Sequence, residues 1–271
     1  MFSRIGFYRR CAQLLTLAAI FAIPALNLYE ITFVKGTFYS MDIGDVALAD
    51  PLAIFQAVFT SRTITLMMLA SVVIPVFLVL MFGRVWCSWF CPYYLLTEVV
   101  AWGRSMFAIL GVKPFTSSYR EGSTSRQNLI RYLVLGGGLL LAGIAGIPLL
   151  NLVSAPGIIS SQALVLVKFH TVTFELAFIL LILLLEFFLF KYWCRLFCPT
   201  GSFLSLFQWR RGLKVSKLHQ KCSRCHTCIR SCPMQINPMT EGDNPMCHNC
   251  GVCIDACPDN QQRPTLGFRF R

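Results

Sequence analysis

The chain has 271 residues, of which 56% are hydrophobic and only 13% charged, against about 25% charged in a soluble domain. That excludes a disordered chain and argues against a purely soluble one. The net charge of +12, from 24 Lys and Arg against 12 Asp and Glu, reads in so apolar a chain as a record of membrane orientation, and no nucleic-acid partner is expected.

Four apolar stretches, 11–28, 63–82, 129–153 and 172–190, approach or exceed the ~20 residues that cross a hydrocarbon core. The first follows Arg4, Arg9 and Arg10 like the apolar region of a signal peptide, but no A-x-A site follows, so it reads as an uncleaved anchor. Pro24, Pro75 and Pro148 fall inside these spans, where membrane helices tolerate proline. Gly138, Ala142 and Gly146 recur every four residues, a stripe that lets another helix approach closely. Two shorter apolar pieces, 51–59 and 162–169, read as interfacial or re-entrant segments on the outer side.

Charge then sets the orientation. Segment 29–62 holds Glu30, Asp42, Asp45 and Asp50 against Lys35 and Arg62, whereas 83–128 holds Arg84, Arg104, Lys113, Arg120 and Arg126 against Glu98 and Glu121. Segment 154–171 has only Lys168, and from Lys191 onward there are 12 basic and 4 acidic residues. The positive-inside rule predicts a multi-pass protein of a bacterial inner membrane with both termini in the cytoplasm.

The segment Trp86-Cys-Ser-Trp-Phe-Cys-Pro92 returns as Trp193-Cys-Arg-Leu-Phe-Cys-Pro199, 107 residues later. Each copy follows the second span of a pair, as parallel repeats require. The expected architecture is an all-α bundle of four transmembrane helices in two parallel repeats over 1–210. A small cytoplasmic α+β ferredoxin-like domain over 211–271 completes it.

Thirteen cysteines, clustered rather than spread, indicate metal in a reducing compartment rather than disulfides. Cys222, Cys225, Cys228 and Cys232 precede Pro233, and Cys247, Cys250, Cys253 and Cys257 precede Pro258. This C-x2-C-x2-C-x3-C-P run belongs to two-cluster ferredoxins, where the fourth cysteine ligates the other cluster. Cluster one is therefore assigned to Cys222, Cys225, Cys228 and Cys257, and cluster two to Cys247, Cys250, Cys253 and Cys232. Zinc and disulfides are the rival readings. Lys221, Arg224 and Arg230 surround these runs and read as a solvated basic face.

Cys87, Cys91, Cys194 and Cys198 remain, with Cys11 alone as a core residue. Each C-x3-C pair is spaced for one face of a helical turn, and the following proline ends that helix. Four thiols meeting where the repeats face each other make a third metal or iron–sulfur site, a dithiol relay, or only small buried residues. Trp86, Trp89, Tyr192 and Trp193 around them read as an aromatic belt. His170 and Glu175 at the outer end of the fourth span, and Glu98 past the first Cys-Pro, are the candidate proton acceptors. Glu186 reads as pairing with Lys191. Only His170 is near a span; His219, His226 and His248 belong to the tail. Bis-histidine haem is therefore excluded, and no C-x-x-C-H occurs.

At these residues the chain resembles the NapH/MauN group of ferredoxin-type membrane proteins. The resemblance covers nearly the whole chain: four spans, two W-C-x3-C-P copies and paired cluster motifs in order. It implies oxidation of menaquinol or ubiquinol and delivery of electrons, through a partner iron–sulfur protein, to a terminal reductase such as periplasmic nitrate reductase. It also implies roles for the twelve motif cysteines. Related modules serve nitrous oxide reduction, amine dehydrogenase maturation and copper handling. The alternative function is therefore a maturation or metal-reducing protein using cytoplasmic electrons and the four membrane-edge thiols.

Overall fold

The computed structural model describes residues 4–29, 34–44, 46–109, 123–189, 191–210, 212–218, 222–261 and 264–270. Glu30, Asp45, Lys113, Arg120, Glu121, His219 and Lys221, used above, lie outside the described residues. The described chain is mostly helical.

Helix α1, Arg4–Leu28, leads into an antiparallel meander of β1 Val34–Thr37, β2 Ser40–Ile43 and β3 Val46–Ala49. Asp50 then caps α2, Pro51–Ser61, accepting the Leu52 amide at 3.1 Å, with Pro51 in the first helical turn, where its missing N–H costs nothing. Thr65 caps α3, Leu66–Phe82, by accepting the Met68 amide. The short α4, Val85–Trp89, and α5, Pro92–Ile109, complete the first half. The second half comprises α6 Ser123–Ala145, α7 Leu149–Val153, α8 Ala155–Phe169 and α9 Glu175–Phe188. A π-helical turn, Trp193–Phe197, and α10, Pro199–Leu206, follow. The tail pairs β4 Leu213–Lys217 with β5 Leu266–Phe270 antiparallel, around α11 Thr227–Arg230 and α12 Val252–Asp255.

The halves interlock. α8 packs on α1 and α5 of the first half, and α2 packs on α6 and α10 of the second. Both re-entering helices start beside the cysteine segments: Leu52 shares a core cluster with Phe203 of α10, and Ala155 and Ile158 share one with Cys91 and Tyr94. Both end on a left-handed residue, Arg62 and His170.

Several expectations change here. Two described helices are long and apolar enough to cross a membrane, Ile5–Leu28 and Ser125–Ala145, while α3 has 17 residues and α9 only 14. The stretch expected as one span over 129–153 breaks after Ala145, because Gly146 is left-handed (φ 66°) and Pro148 follows. The pieces at 51–59 and 162–169 are parts of the longer helices α2 and α8, which begin beside the cysteine segments. Three of the four supposed belt residues pack on other groups, while Tyr192 is exposed: Trp86 stacks on Phe38 with ring centres 5.6 Å apart, Trp193 meets Phe178, and the Trp89 indole donates to the Asn249 carbonyl.

The tail is joined to the bundle mainly through hydrogen bonds to main-chain atoms. Arg84 donates to the Pro245 carbonyl, Ser88 to that of His248 and Arg9 to that of Cys250. The Asn249 side chain donates to the carbonyls of both Phe82 and Leu213 at 2.9 Å, while its backbone is left-handed (φ 51°). Asn249→Ala removes both bonds and places alanine where it is strained, a loss of about 2 kcal/mol. The expected outcome is a thermal midpoint lowered by a few degrees and faster proteolytic release of the tail; an unchanged melt counts against this joint.

Candidate metal centre and adjoining cavity

The proline after each C-x3-C pair does two jobs. It stops the preceding turn, leaving Cys198 extended (φ −61°, ψ 113°), and it opens the next helix. The second cysteine becomes that helix's cap: Cys198 Sγ accepts the Gly201 amide at 3.5 Å, and Cys91 accepts from the amides of Tyr93 and Tyr94. A helix N-terminus favours a thiolate. The first pair fits the expected helical turn, since Cys87 lies on α4. The second does not, because Cys194 lies in a π-helical turn closed by the Cys198 amide on the Trp193 carbonyl.

The four thiols form one connected group. Cys91 is within electrostatic reach of Cys87 and Cys198, and Cys194 of Cys198 and Cys91. Burial raises the Cys91 and Cys194 thiols well above the free value, and burial with the nearby Cys87 raises Cys198 to about 11. Cations are buried around them. Arg84 and Arg131, 2% and 1% exposed, lie near Cys198 and have no carboxylate partner among the described residues. Lys191 sits 3.6 Å above the Tyr94 ring and within reach of Cys194 and Cys250.

In the tail, Cys228 faces Cys257, Cys222 and Cys225, while Cys232 faces Cys250 and Cys247. The two loops share a backbone plan. Arg224 and His226 in one, and Asn249 and Gly251 in the other, take left-handed conformations at matching positions. That curls the amides toward sulfur: Thr227 donates to Cys225, and Val252 to Cys250. None of the thirteen cysteines is joined in a disulfide. Among the described residues no three His, Cys, Asp or Glu side chains converge closely enough for a single metal ion. A cubane binds each thiolate through a different iron and needs no such convergence, so the donor set fits clusters better than zinc.

The two cysteine regions touch. Cys194, Cys232 and Cys247 pack against one apolar cluster of Met234, Ile236 and Met246. His248 lies between them, edge-on to Tyr94, with neither ring nitrogen bonded among the described residues; burial, then the cations Arg84, Lys191 and Arg9, keeps it neutral. Sequence reading placed His248 only in the tail, because nothing local signals this contact.

On the other side of Cys87 and Cys91 lies a cavity of about 660 Å³, walled by α3, α4, the meander and the tail. Tyr39 and Asp50 line it, and Tyr39 is within reach of Cys91 and Cys87. None of the three candidate proton acceptors does. His170 is exposed at the end of α8, Glu175 accepts from Ser161 and Gln162, and Glu98 is paired with Arg9. Glu186 is buried and accepts the amides of Tyr192 and Trp193, with Lys191 in reach.

Comparison with known proteins agrees with this arrangement. A family model described as a 4Fe-4S binding domain matches twice, at 64–110 and 171–217, and each match encloses a C-x3-C-P segment rather than the tail. The methylamine utilization ferredoxin-type protein MauN of Paracoccus denitrificans is 28% identical over 83% of this chain and 74% of its own length. The ferredoxin-type protein NapH of Escherichia coli is 25% identical over 83% of this chain and 73% of its own. The regulatory protein NosR of Stutzerimonas stutzeri is 26% identical over 75% of this chain but 25% of its own length. No solved structure matches.

Exposure and charge give a reactivity order for the metal-free protein. Cys225 is exposed, and hydrogen bonds from the Thr227 side chain and amide lower its pKa, whereas burial raises Cys91 and Cys194. Thiolate is the reactive form. Timed iodoacetamide labelling at pH 8 with peptide mapping is expected to find Cys225 first and Cys91 and Cys194 only after denaturation. Early labelling of Cys91 or Cys194 contradicts the buried group.

Proposed function

We propose that this chain, a relative of the MauN and NapH ferredoxin-type proteins, is a membrane electron-transfer subunit that oxidises quinol and hands electrons on through iron–sulfur centres. Cys222, Cys225, Cys228 and Cys257 hold one 4Fe-4S cluster, and Cys247, Cys250, Cys253 and Cys232 the other. Cys87, Cys91, Cys194 and Cys198 hold a third centre where the two repeats meet. The two repeats make a four-span bundle with both termini and the tail in the cytoplasm. A partner iron–sulfur protein receives the electrons on the way to a terminal reductase.

The observation that carries this reading is the meeting of the two thiol regions on one apolar cluster, against which Cys194 packs as do Cys232 and Cys247. Clusters bound there supply one-electron transfer. The chain's own residues provide the setting. Arg84 and Arg131 balance negative charge that buried thiolates bring. The amides of Gly201, Thr227 and Val252 donate to sulfur, which favours the charged thiolate. The apolar packing of Met234, Ile236 and Met246 excludes water from the junction.

Anaerobic purification with iron and acid-labile sulfide analysis tests the cluster assignment. Cys225→Ser or Cys250→Ser is expected to remove one tail cluster and weaken the other, because the fourth ligands are exchanged. Bound zinc without sulfide overturns it.

Function of the third centre is read by adding a menaquinol analogue and following cluster reduction. Ser at any one of Cys87, Cys91, Cys194 or Cys198 is expected to lower that reduction about as far as all four together, since members of a working unit are non-additive. Independent packing losses of about 1 kcal/mol each would add instead. Reduction by a cytoplasmic donor but not by quinol favours the maturation reading.

A further inference from the structure

The cavity beside Cys87 and Cys91 is claimed by none of the thiol groups. Its volume of about 660 Å³ falls within the ~300–1,000 Å³ of small-molecule sites. One wall is aromatic, with the Trp86 indole stacked on Phe38 and close to Phe90. The opposite wall is α3, where Leu78 lines the cavity yet is 43% exposed at the bundle surface. The cavity thus reaches the face that apolar surroundings would cover.

Its polar edge is narrow. The Asp50 amide donates to the Tyr39 carbonyl at 3.0 Å, which holds the two side chains together. The Tyr39 hydroxyl is buried; the Trp86 indole is its neighbouring donor, and no acceptor for its own proton is present among the described residues. Asp50 spends one oxygen on the Leu52 amide and pairs with no cation among the described residues. Burial, opposed by that amide, brings its carboxyl to about 6. A buried hydroxyl whose proton has no acceptor is costly and marks where a ligand oxygen belongs.

The ligand this describes is flat, apolar on both faces, oxygenated at its edge and carried from an apolar phase. The geometry points to this cavity as the quinol-binding site, with the ring between Trp86 and Leu78, Asp50 accepting a hydrogen bond from a ring hydroxyl and Tyr39 meeting the ring oxygens. This deepens the quinol reading above and rests on it. Asp50 and Tyr39 thereby take the place given by sequence to His170, Glu175 and Glu98.

The test uses the full chain in nanodiscs and, under anaerobic conditions, the naphthoquinol menadiol as probe, whose ring hydroxyls can donate to Asp50; it is read by quenching of tryptophan fluorescence, since Trp86 and Trp89 both line the cavity. Saturable quenching is expected in the unmodified protein. Ala49→Phe, which fills the cavity, is expected to abolish it. Asp50→Asn keeps the helix cap and is expected to weaken binding about tenfold, the worth of a hydrogen bond to a charged group. Tyr39→Phe removes a hydroxyl whose proton has no acceptor among the described residues, so it is expected to weaken binding several-fold with little change in the thermal midpoint. A purely structural tyrosine would not separate the two readouts.

Equal affinity in the unmodified protein and all three variants overturns the site. If quinol still reduces the unmodified protein in that case, the functional reading stands and the ring binds elsewhere. If menadiol binding follows the expected pattern but quinol reduces no cluster, the cavity stands and the electron-transfer reading falls.

Discussion

Two guanidinium groups buried against thiols are the constraint around which the rest is arranged. Arg84 and Arg131 are almost wholly removed from solvent, and neither has a carboxylate to answer it among the described residues. An uncompensated buried charge costs several kcal/mol. What lies beside them is Cys198, near Cys87 and Cys91. Thiols that are neutral at these raised pKa values leave the cations unanswered. Thiolates bound to a metal centre answer them and lose their own desolvation problem. The same arginines fasten the scaffold: Arg84 holds the Pro245 carbonyl of the tail, and Arg131 holds the Gly201 carbonyl at the start of α10.

Duplication explains why the proposed third centre needs both halves. Each repeat contributes one C-x3-C pair, and a pair alone supplies two ligands. The crossed packing of α2 on α6 and α10, and of α8 on α1 and α5, brings the pairs together and makes the halves inseparable. The copies then diverged in local geometry. Arg84 before the first pair corresponds to Lys191 before the second. Arg84 turns toward Cys198 and the tail, while Lys191 stacks on Tyr94 near Cys194 and Cys250. The first pair sits on an α-helical turn, the second on a wider π turn that accommodates left-handed Lys191 before it.

Much of this was legible in the sequence for a physical reason. Cluster motifs and the W-C-x3-C-P repeat are local, so spacing alone reveals them, and the stretches 11–28 and 63–82 read directly as helices. What spacing could not reveal is long-range. Arg9 and Arg84 entered only as topological charges and Lys191 also as a partner for Glu186, although each is buried in the structure. The meander at 34–49 carries weak strand signals, interrupted by Gly36 and Gly44, and gains its definition by packing along α1 and α3. The break at Gly146 was hidden because small residues there read as a packing stripe. Tyr39 and Asp50 stand in an acidic loop that charge counting assigned to the outside, so no local signal linked them to Cys87 and Cys91.

The order of groups across the molecule follows from these contacts. The cavity is lined by Tyr39, which is within electrostatic reach of Cys87 and Cys91; these lie near Cys198 and Cys194, and Cys194 packs on the same apolar cluster as Cys232 and Cys247 of the tail. Cys253, near Cys232 and Cys247, also feels Cys228 of the other tail group. Each junction is made by a different pairing of elements: the meander with α4, one repeat with the other, and the second half with the tail. An arrangement evolved only to bury cysteines would not need them consecutive, nor would it need cations beside them. Consecutive placement across three independent interfaces is what a conducting path requires, because a gap at any one of them would isolate the groups on either side.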